Sequence, residues 1–252
     1  MKHPGSICAV VPVYNGERTL PELTARLCAV LNGWETYRIV LVDDRSTDRS
    51  LEVISALVGQ YPRVTGIALK SNSGQQCAIL CGLRHADGDL VVIIDDDLEQ
   101  APEDIPRLYR ELDKGFDVVY GVPGNPGRRG RGIVRGIGSR LRDALFRWIA
   151  PLPPGIRVGS FRIVRREIVE RVIRADTRFV YLSMEILRHT RSVGNIPIDS
   201  ARSAPTQYSL RKLALLLGRI FVYYAPLRWL SRFRRRGDCY EIARILKGRN
   251  QP

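Results

Sequence analysis

The sequence predicts an α/β protein built on a doubly wound, mostly parallel sheet, with amphipathic helices toward the C-terminus. Two observations carry this expectation. Strand-like and helix-like segments alternate through the first half, and the strand-like segments are continuous apolar runs, as expected of strands covered on both faces.

The elements follow in order. Residues 7–13, 37–42, 64–69, 90–94 and 117–120 are rich in Val, Ile and other strand formers. Between them, residues 19–31, 48–58, 75–85 and 102–112 carry apolar side chains at helical spacing. In such a sheet, ligands bind beyond the carboxyl ends of the strands. Two of those ends are acidic, with Asp43 and Asp44 after the second run and Asp95, Asp96 and Asp97 after the fourth. Residues 121–138 change character: Pro123 and Pro126 stand among several glycines with Arg128, Arg129, Arg131 and Arg135, which predicts a mobile basic loop leading into a helix. A strand is expected at 160–164, helices at 167–173 and 182–189, and a short strand at 196–198. From residue 210 the chain reads as helical and basic, ending in a last short helix.

Composition narrows the class. With 252 residues, 44% hydrophobic and 26% charged, the chain can bury a sizeable core, which excludes a disordered or disulfide-scaffold protein. The net charge of +14 is uneven, because residues 1–121 carry 12 basic and 18 acidic side chains and the remainder 28 and 8. A basic second half suggests a polyanionic partner, either nucleic acid or an anionic membrane surface. The basic residues are not interleaved with the aromatic and glycine motifs of RNA modules, so nucleic acid is disfavoured. Five cysteines, an odd number lying mainly in apolar segments, read as reduced thiols in a cytosolic compartment. Residues 213–230 are interrupted by Arg219, Pro226 and Arg228 and fall short of the roughly 20 apolar residues a spanning helix needs.

The acidic run at 95–97 invites chemistry. Crowded like charges at the end of an apolar strand are usually explained by a bound divalent cation, and the spacing of two puts Asp95 and Asp97 on one side of an extended strand end. Mg²⁺ or Mn²⁺ held there by few protein ligands would keep coordination positions for substrate phosphates. The alternative is an acidic turn that caps the next helix. Arg162, in an otherwise apolar run, requires an anionic partner.

The segment Asp95-Asp96-Asp97-Leu98-Glu99-Gln100-Ala101-Pro102-Glu103 resembles the DxDLQxxPE motif of family 2, GT-A fold glycosyltransferases, and more narrowly their polyprenyl-phosphate branch. Further segments agree in the family's order: Val11-Pro12-Val13-Tyr14-Asn15, Val42-Asp43-Asp44-Arg45-Ser46-Thr47-Asp48, Asn72-Ser73-Gly74-Gln75, Gly159-Ser160-Phe161-Arg162, Tyr208-Ser209-Leu210-Arg211-Lys212-Leu213 and Pro226-Leu227-Arg228. Together they run from about residue 7 to residue 230. A DxD alone is weak evidence, whereas the ordered set is specific.

The resemblance implies a GT-A domain over 1–208 and an inverting, metal-dependent transfer of a sugar from a UDP- or GDP-sugar to a polyprenyl phosphate such as undecaprenyl or dolichyl phosphate. It implies nucleotide-sugar contacts at Pro12, Tyr14, Asn15, Glu17, Asp44, Asn72, Gly74, Gln75, Asp95 and Asp96, a metal at Asp95, Asp97 and Glu99, and acceptor-phosphate contacts at Arg135, Ser139 and Arg162. Asp97, Arg162 and Glu185 become the candidate catalytic residues, with Glu185 a base only if it faces the cleft. A phosphate acceptor needs no base, because its second pKa is about 6. No His lies in the matched segments, which favours a phosphate nucleophile over a small-molecule or saccharide hydroxyl, the alternative acceptor.

Several positions depart from the family pattern. Glu99 replaces a usual Gln, residues 204–207 replace a Gly-x-Ser-Lys segment, and Pro123 replaces a frequent basic residue. Many bacterial members continue into two transmembrane helices after Pro-Leu-Arg, where this chain has a basic segment. Residues 209–252 are therefore expected to be a basic amphipathic segment lying on the cytoplasmic face of a membrane, with Leu213, Leu216, Leu217, Ile220, Phe221 and Tyr224 toward the acyl chains. Ordinary core packing or a homo-oligomer interface is the alternative use of that stripe.

Overall fold

The computed structural model describes residues 3–124, 155–174, 179–199, 210–224 and 237–248. The first half runs β1 (His3–Val13), α1 (Leu20–Leu31), β2 (Trp34–Asp43), α2 (Ser50–Gln60), β3 (Val64–Leu69), α3 (Gln75–His85) and β4 (Leu90–Ile93). A single 3-10 turn at Pro102–Asp104 leads into α4 (Ile105–Leu112), followed by β5 (Val118–Pro123). After residue 155 come β6 (Arg162–Arg165), α5 (Arg166–Val172), α6 (Leu182–His189), β7 (Val193–Ile198), α7 (Leu210–Tyr224) and β8 (Ile242–Leu246).

Eight strands among the described residues form one sheet in the order β7-β5-β6-β4-β1-β2-β3-β8. The pairings β1–β2, β1–β4, β2–β3 and β5–β7 are parallel, whereas β6 is antiparallel to both β4 and β5. The expected doubly wound sheet is thus present, with β6 inserted antiparallel between β4 and β5. Alternation along β1 explains its double burial: Cys8 and Val10 enter one apolar layer with α3, and Ile7, Ala9 and Val11 enter the other with α1. Helix α1 contributes Leu20, Leu23, Leu27 and Leu31, a spacing that lines one helical face, and each such buried side chain is worth about 1.5–3 kcal/mol. Helix α3 lies unusually close to the sheet at Gly82, where a Cβ would come within 2.4 Å of Val10 Cγ1.

Chain order explains where a ligand would enter. β1, β2 and β3 progress outward to one side, then α3 carries the chain back so that β4 joins the other side of β1. The carboxyl ends of β1 and β4 therefore flank the topological switch point, the place where open α/β sheets bind ligands.

Two expectations for the C-terminal part are corrected. Residues 242–246 are a strand and not a last short helix: β8 pairs antiparallel with β3, matching Gly66 to Leu246 and Ile67 to Ile245. A five-residue helix is marginal on its own, whereas the open edge of β3 offers ladder hydrogen bonds, and Lys70 N–H donating to Glu241 O at 2.8 Å extends them. The segment 209–252 is accordingly not helical throughout. In α7, Ile220 and Tyr224 belong to the protein core, and the Tyr224 hydroxyl accepts the Tyr181 N–H at 2.9 Å. Those two side chains cannot face lipid. The outward side instead carries Leu215, Gly218 and Arg219, with Leu215 66% exposed.

Candidate active site

At the end of β1 the chain turns through Tyr14, Asn15 and Gly16. Asn15 takes φ 58°, a left-handed conformation that Asn tolerates better than most residues. Its side-chain oxygen accepts the Thr47 N–H at 2.8 Å and the Thr47 hydroxyl at 3.2 Å, while its own N–H donates to Ser46 Oγ at 3.0 Å. Glu17 accepts the Arg49 N–H at 3.0 Å. These bonds tie the loop after β1 to the loop after β2. Tyr14 is left half-exposed beside them, and Pro12 is buried inside β1 opposite Val42, where it shapes the strand end without offering a side chain.

Asp44, also buried, accepts two backbone N–H groups, from Ser73 at 2.6 Å and from Gly74 at 2.8 Å. Burial raises its pKa, and those two hydrogen bonds oppose the rise. Asp44 thereby fixes the entry to α3, where Gly74 takes φ 87° as the residue before Gln75 and Asn72 is exposed. The loops after β1, β2 and β3 thus form one hydrogen-bonded rim. Capping of α2 falls to Asp48, which accepts the Ser50 N–H at 3.0 Å.

The three aspartates after β4 have different partners. Asp96 accepts the Tyr14 N–H at 3.0 Å, and Gly16 permits the approach because a Cβ there would stand 2.6 Å from the same Asp96 oxygen. Asp95 accepts Gln75 Nε2 at 2.7 Å on one oxygen and Gln100 Nε2 at 3.0 Å on the other. Asp97 is exposed and accepts the Glu99 N–H at 3.0 Å around Leu98, whose φ is 59°. Burial, followed by the charges of Asp97 and Asp95, pushes Asp96 up to about 6; burial and the charges of Asp95 and Glu99 raise Asp97. No Lys, Arg or His among the described residues forms an ion pair with these three aspartates.

Such uncompensated, mutually repelling carboxylates have the donor chemistry that a hard divalent cation takes. Asp95 and Asp97 would hold it. The expected set of Asp95, Asp97 and Glu99 is not gathered as a ligand cluster here, since no three His, Cys, Asp or Glu side chains among the described residues form one.

Opposite charge stands next door. In β6, Arg162 pairs with Ile93 of β4 on one side and Tyr120 of β5 on the other. It is 2% exposed, donates to Ser160 O at 3.1 Å and to Ser183 Oγ at 2.9 Å, and lies 5.5 Å from the Tyr120 ring centroid. No carboxylate among the described residues is its partner. A guanidinium this buried is costly unless an anion joins it.

Glu185 is placed elsewhere. It is 5% exposed, yet its oxygens lie 3.5 Å from Arg188 Nη1 and 3.4 Å from His189 Nε2, and its charge acts on Tyr224 of α7. These contacts put it at the α6–α7 junction, so the reading of Glu185 as a base facing the cleft is not carried by its surroundings. Arg135 and Ser139 lie outside the described residues.

The residue that sequence reasoning overlooked is Gln100. Its Oε1 accepts the Asp95 N–H at 3.1 Å, and its Nε2 reaches both Asp95 and, at 2.9 Å, Ser160 Oγ. Ser160 then connects through its carbonyl to Arg162. A single polar chain therefore runs Gln75, Asp95, Gln100, Ser160, Arg162, Ser183, from the α3 rim to α6. Its sequence signal was an amide next to Glu99, one position beyond the family's usual Gln.

The acidic switch point and the buried arginine stand on a sheet of the GT-A kind. Solved structures share the fold. A Mycobacterium tuberculosis glucosyl-3-phosphoglycerate synthase, solved with Mn²⁺, UDP-glucose and phosphoglyceric acid, superposes with TM-score 0.61 at 19% identity, covering 86% of this chain and 78% of that one. S. aureus TarS in complex with UDP-GlcNAc gives TM-score 0.58 at 16% identity over 91% and 69%. The chain belongs to glycosyl transferase family 2, whose family model matches residues 8–173. Among its relatives, the undecaprenyl-phosphate 4-deoxy-4-formamido-L-arabinose transferase of Photorhabdus laumondii is 33% identical over 233 residues, 89% of this chain and 70% of the relative.

Proposed function

We propose that this glycosyltransferase moves a sugar from a nucleoside-diphosphate sugar to a polyprenyl phosphate, with inversion at the anomeric carbon. The observation that carries the reading is the pairing of two uncompensated charges at one strand end: the carboxylates of Asp95 and Asp97, and the buried guanidinium of Arg162. The acceptor class is suggested by the relative from Photorhabdus laumondii, whose name specifies undecaprenyl phosphate.

In this reading Tyr14 stacks against the nucleotide base, while Asn15, Glu17 and Asp44 hold the rim on which base and ribose rest, with Asn72, Gly74 and Gln75 completing it. Asp95 and Asp97 would hold Mg²⁺ or Mn²⁺, which would offset the negative charge that grows on the departing diphosphate. Arg162 supplies fixed positive charge for a phosphate, and Arg135 and Ser139 are the further acceptor contacts. An anionic oxygen of the lipid phosphate forms the new bond to the anomeric carbon from the face opposite the diphosphate. The old C–O bond breaks with its electron pair passing to the departing diphosphate oxygen. No proton has to be removed, because the attacking oxygen is already ionised near neutral pH. That fits a site in which Glu185, the candidate base, has Arg188 Nη1 at 3.5 Å.

No helix among the described residues is long and apolar enough to cross a membrane. We place the protein peripherally on the cytoplasmic face of an anionic membrane, with the basic second half toward the lipid; each basic side chain near such a surface contributes on the order of 1 kcal/mol. On α7 the exposed Leu215, near Arg219 in the sequence, supports this reading as an apolar side chain outside the core.

A screen of the purified protein tests the proposal, offering labelled UDP- and GDP-sugars with Mg²⁺ or Mn²⁺ against undecaprenyl phosphate and a panel of hydroxyl acceptors. Label should enter the lipid fraction. Transfer to a hydroxyl acceptor with none to the lipid phosphate would replace this acceptor class.

A further inference from the structure

A second reactive centre lies behind the rim, where the chain crosses α3 on its way into β8. Residues 238–240 lie against one face of that helix. Asp238 pairs with Arg84 at 2.6 Å, and Tyr240 accepts from Arg84 Nη1 at 3.1 Å with its ring 5.4 Å from the guanidinium. Between those two residues stands Cys239, half-buried. On α3, Cys77, Cys81 and Arg84 fall at i, i+4 and i+7, so all three face this strap. The Cys77 and Cys239 side chains lie near enough to act on each other's ionisation, as do Cys81 and Tyr240.

The two partners are electrostatically unequal. Cys77 and then the Arg84 guanidinium draw the Cys239 pKa below its ordinary value against the effect of burial. Cys239 in turn, with burial, drives Cys77 upward. Burial pushes both Cys8 and Cys81 up to about 12. Cys239 is therefore drawn toward the thiolate, it is partly open to solvent, and the helix face that carries Cys77 and Cys81 lies beside it. Low pKa, access and an adjacent resolving thiol are the attributes of an oxidisable pair.

We propose that Cys239 and Cys77 form a modification site that a hydroperoxide converts to a disulfide. The Cys239 thiolate attacks one peroxide oxygen, the O–O bond breaks, and Cys239 becomes a sulfenic acid as the other oxygen leaves as hydroxide. The Cys77 sulfur then attacks the sulfenic sulfur, its proton leaves with the departing hydroxyl as water, and the S–S bond forms. Two thiols lose two electrons and two protons, and one peroxide becomes two waters. The product ties residue 239 to the first turn of α3, directly after the Gly74 and Gln75 positions held by Asp44 and Asp95. This inference does not rest on the proposed sugar transfer.

Peptide mapping of the full, natively folded chain tests it. The protein is treated with hydrogen peroxide, blocked with iodoacetamide, digested without reductant and analysed by mass spectrometry. A Cys77–Cys239 linked peptide is expected, removed by dithiothreitol before digestion, with Cys8 and Cys81 blocked only after denaturation. In Cys77→Ser, Cys239 should instead be trapped by dimedone as sulfenic acid; should that variant not fold, the wild-type map decides alone. Absence of the linked peptide, a Cys81–Cys239 link, or oxidation of Cys28 ahead of Cys239 would overturn the proposal.

Discussion

Among the acidic groups that the described residues withdraw partly or fully from water, two sites are treated in opposite ways. Glu185, between α6 and α7, has Arg188 Nη1 at 3.5 Å, so its charge is balanced by the protein itself. Among the described residues, the aspartates after β4 receive only amide and backbone N–H donors, and burial together with their mutual repulsion raises Asp96 and Asp97. A fold has no structural reason to keep the second arrangement, since replacing one Asp would relieve it. Arg162 completes the contrast as a buried cation with no carboxylate partner among the described residues. Charges left unbalanced by the protein are those reserved for ligands; charges balanced internally hold helices together.

The sharpest way to break that distinction is at Asp97. Asp97→Asn removes charge from the repelling set, so folding should be unaffected or slightly improved while turnover falls on the order of 10²- to 10³-fold, the typical loss for an electrostatic group acting at developing charge. Turnover together with a thermal melt checks both halves. Near wild-type turnover would return the acidic run to an ordinary helix-capping turn.

Arg162→Met comes next. Losing a charge-assisted phosphate contact worth about 1.5–3 kcal/mol should slow transfer roughly 10- to 150-fold. Because no carboxylate is orphaned, the melting temperature should hold or rise. A large fall in stability with unchanged kinetics would make Arg162 structural.

Gln100→Ala tests the polar chain between the two charges. It leaves one Asp95 oxygen and the Asp95 N–H without their partners, at about 1–3 kcal/mol, and should lower kcat about 5- to 150-fold with less change in KM for the nucleotide sugar. An effect confined to KM would mean that Gln100 supports binding alone.

The smallest kinetic effect is expected at Glu185→Gln, where turnover should stay within about threefold while stability drops by about 1–3 kcal/mol. A collapse of turnover without loss of stability would restore Glu185 as a base.

The same contrast explains what could be read from the sequence. Continuous apolar strands and three consecutive aspartates are local signals, so the sheet and the acidic switch point are legible, and Tyr14, Asn15, Asp44 and Asp95 could be placed at strand ends, while the roles proposed for them come from the family resemblance. Partners are not local. Helical spacing over 182–189 already sets Arg188 and His189 beside Glu185, but nothing in it announces Tyr224 on another helix, and nothing near Gln100 announces Ser160 sixty residues away. The α7 stripe was read correctly as apolar, yet periodicity does not name what covers it, and Ile220 and Tyr224 face the core. β8 was missed because Ile242, Ile245 and Leu246 carry little pattern by themselves and become a strand only through the distant edge at Gly66–Leu69.

Equilibrium binding tests the central claim most directly. UDP and GDP are titrated calorimetrically into the wild type, Asp97→Asn and Glu185→Gln, each in Mn²⁺ and in EDTA. The account predicts that at least one nucleotide binds the wild type and Glu185→Gln more tightly with Mn²⁺, and that Asp97→Asn loses this dependence. Equal affinities in Mn²⁺ and EDTA for the wild type, or an undiminished Mn²⁺ effect in Asp97→Asn, would contradict it.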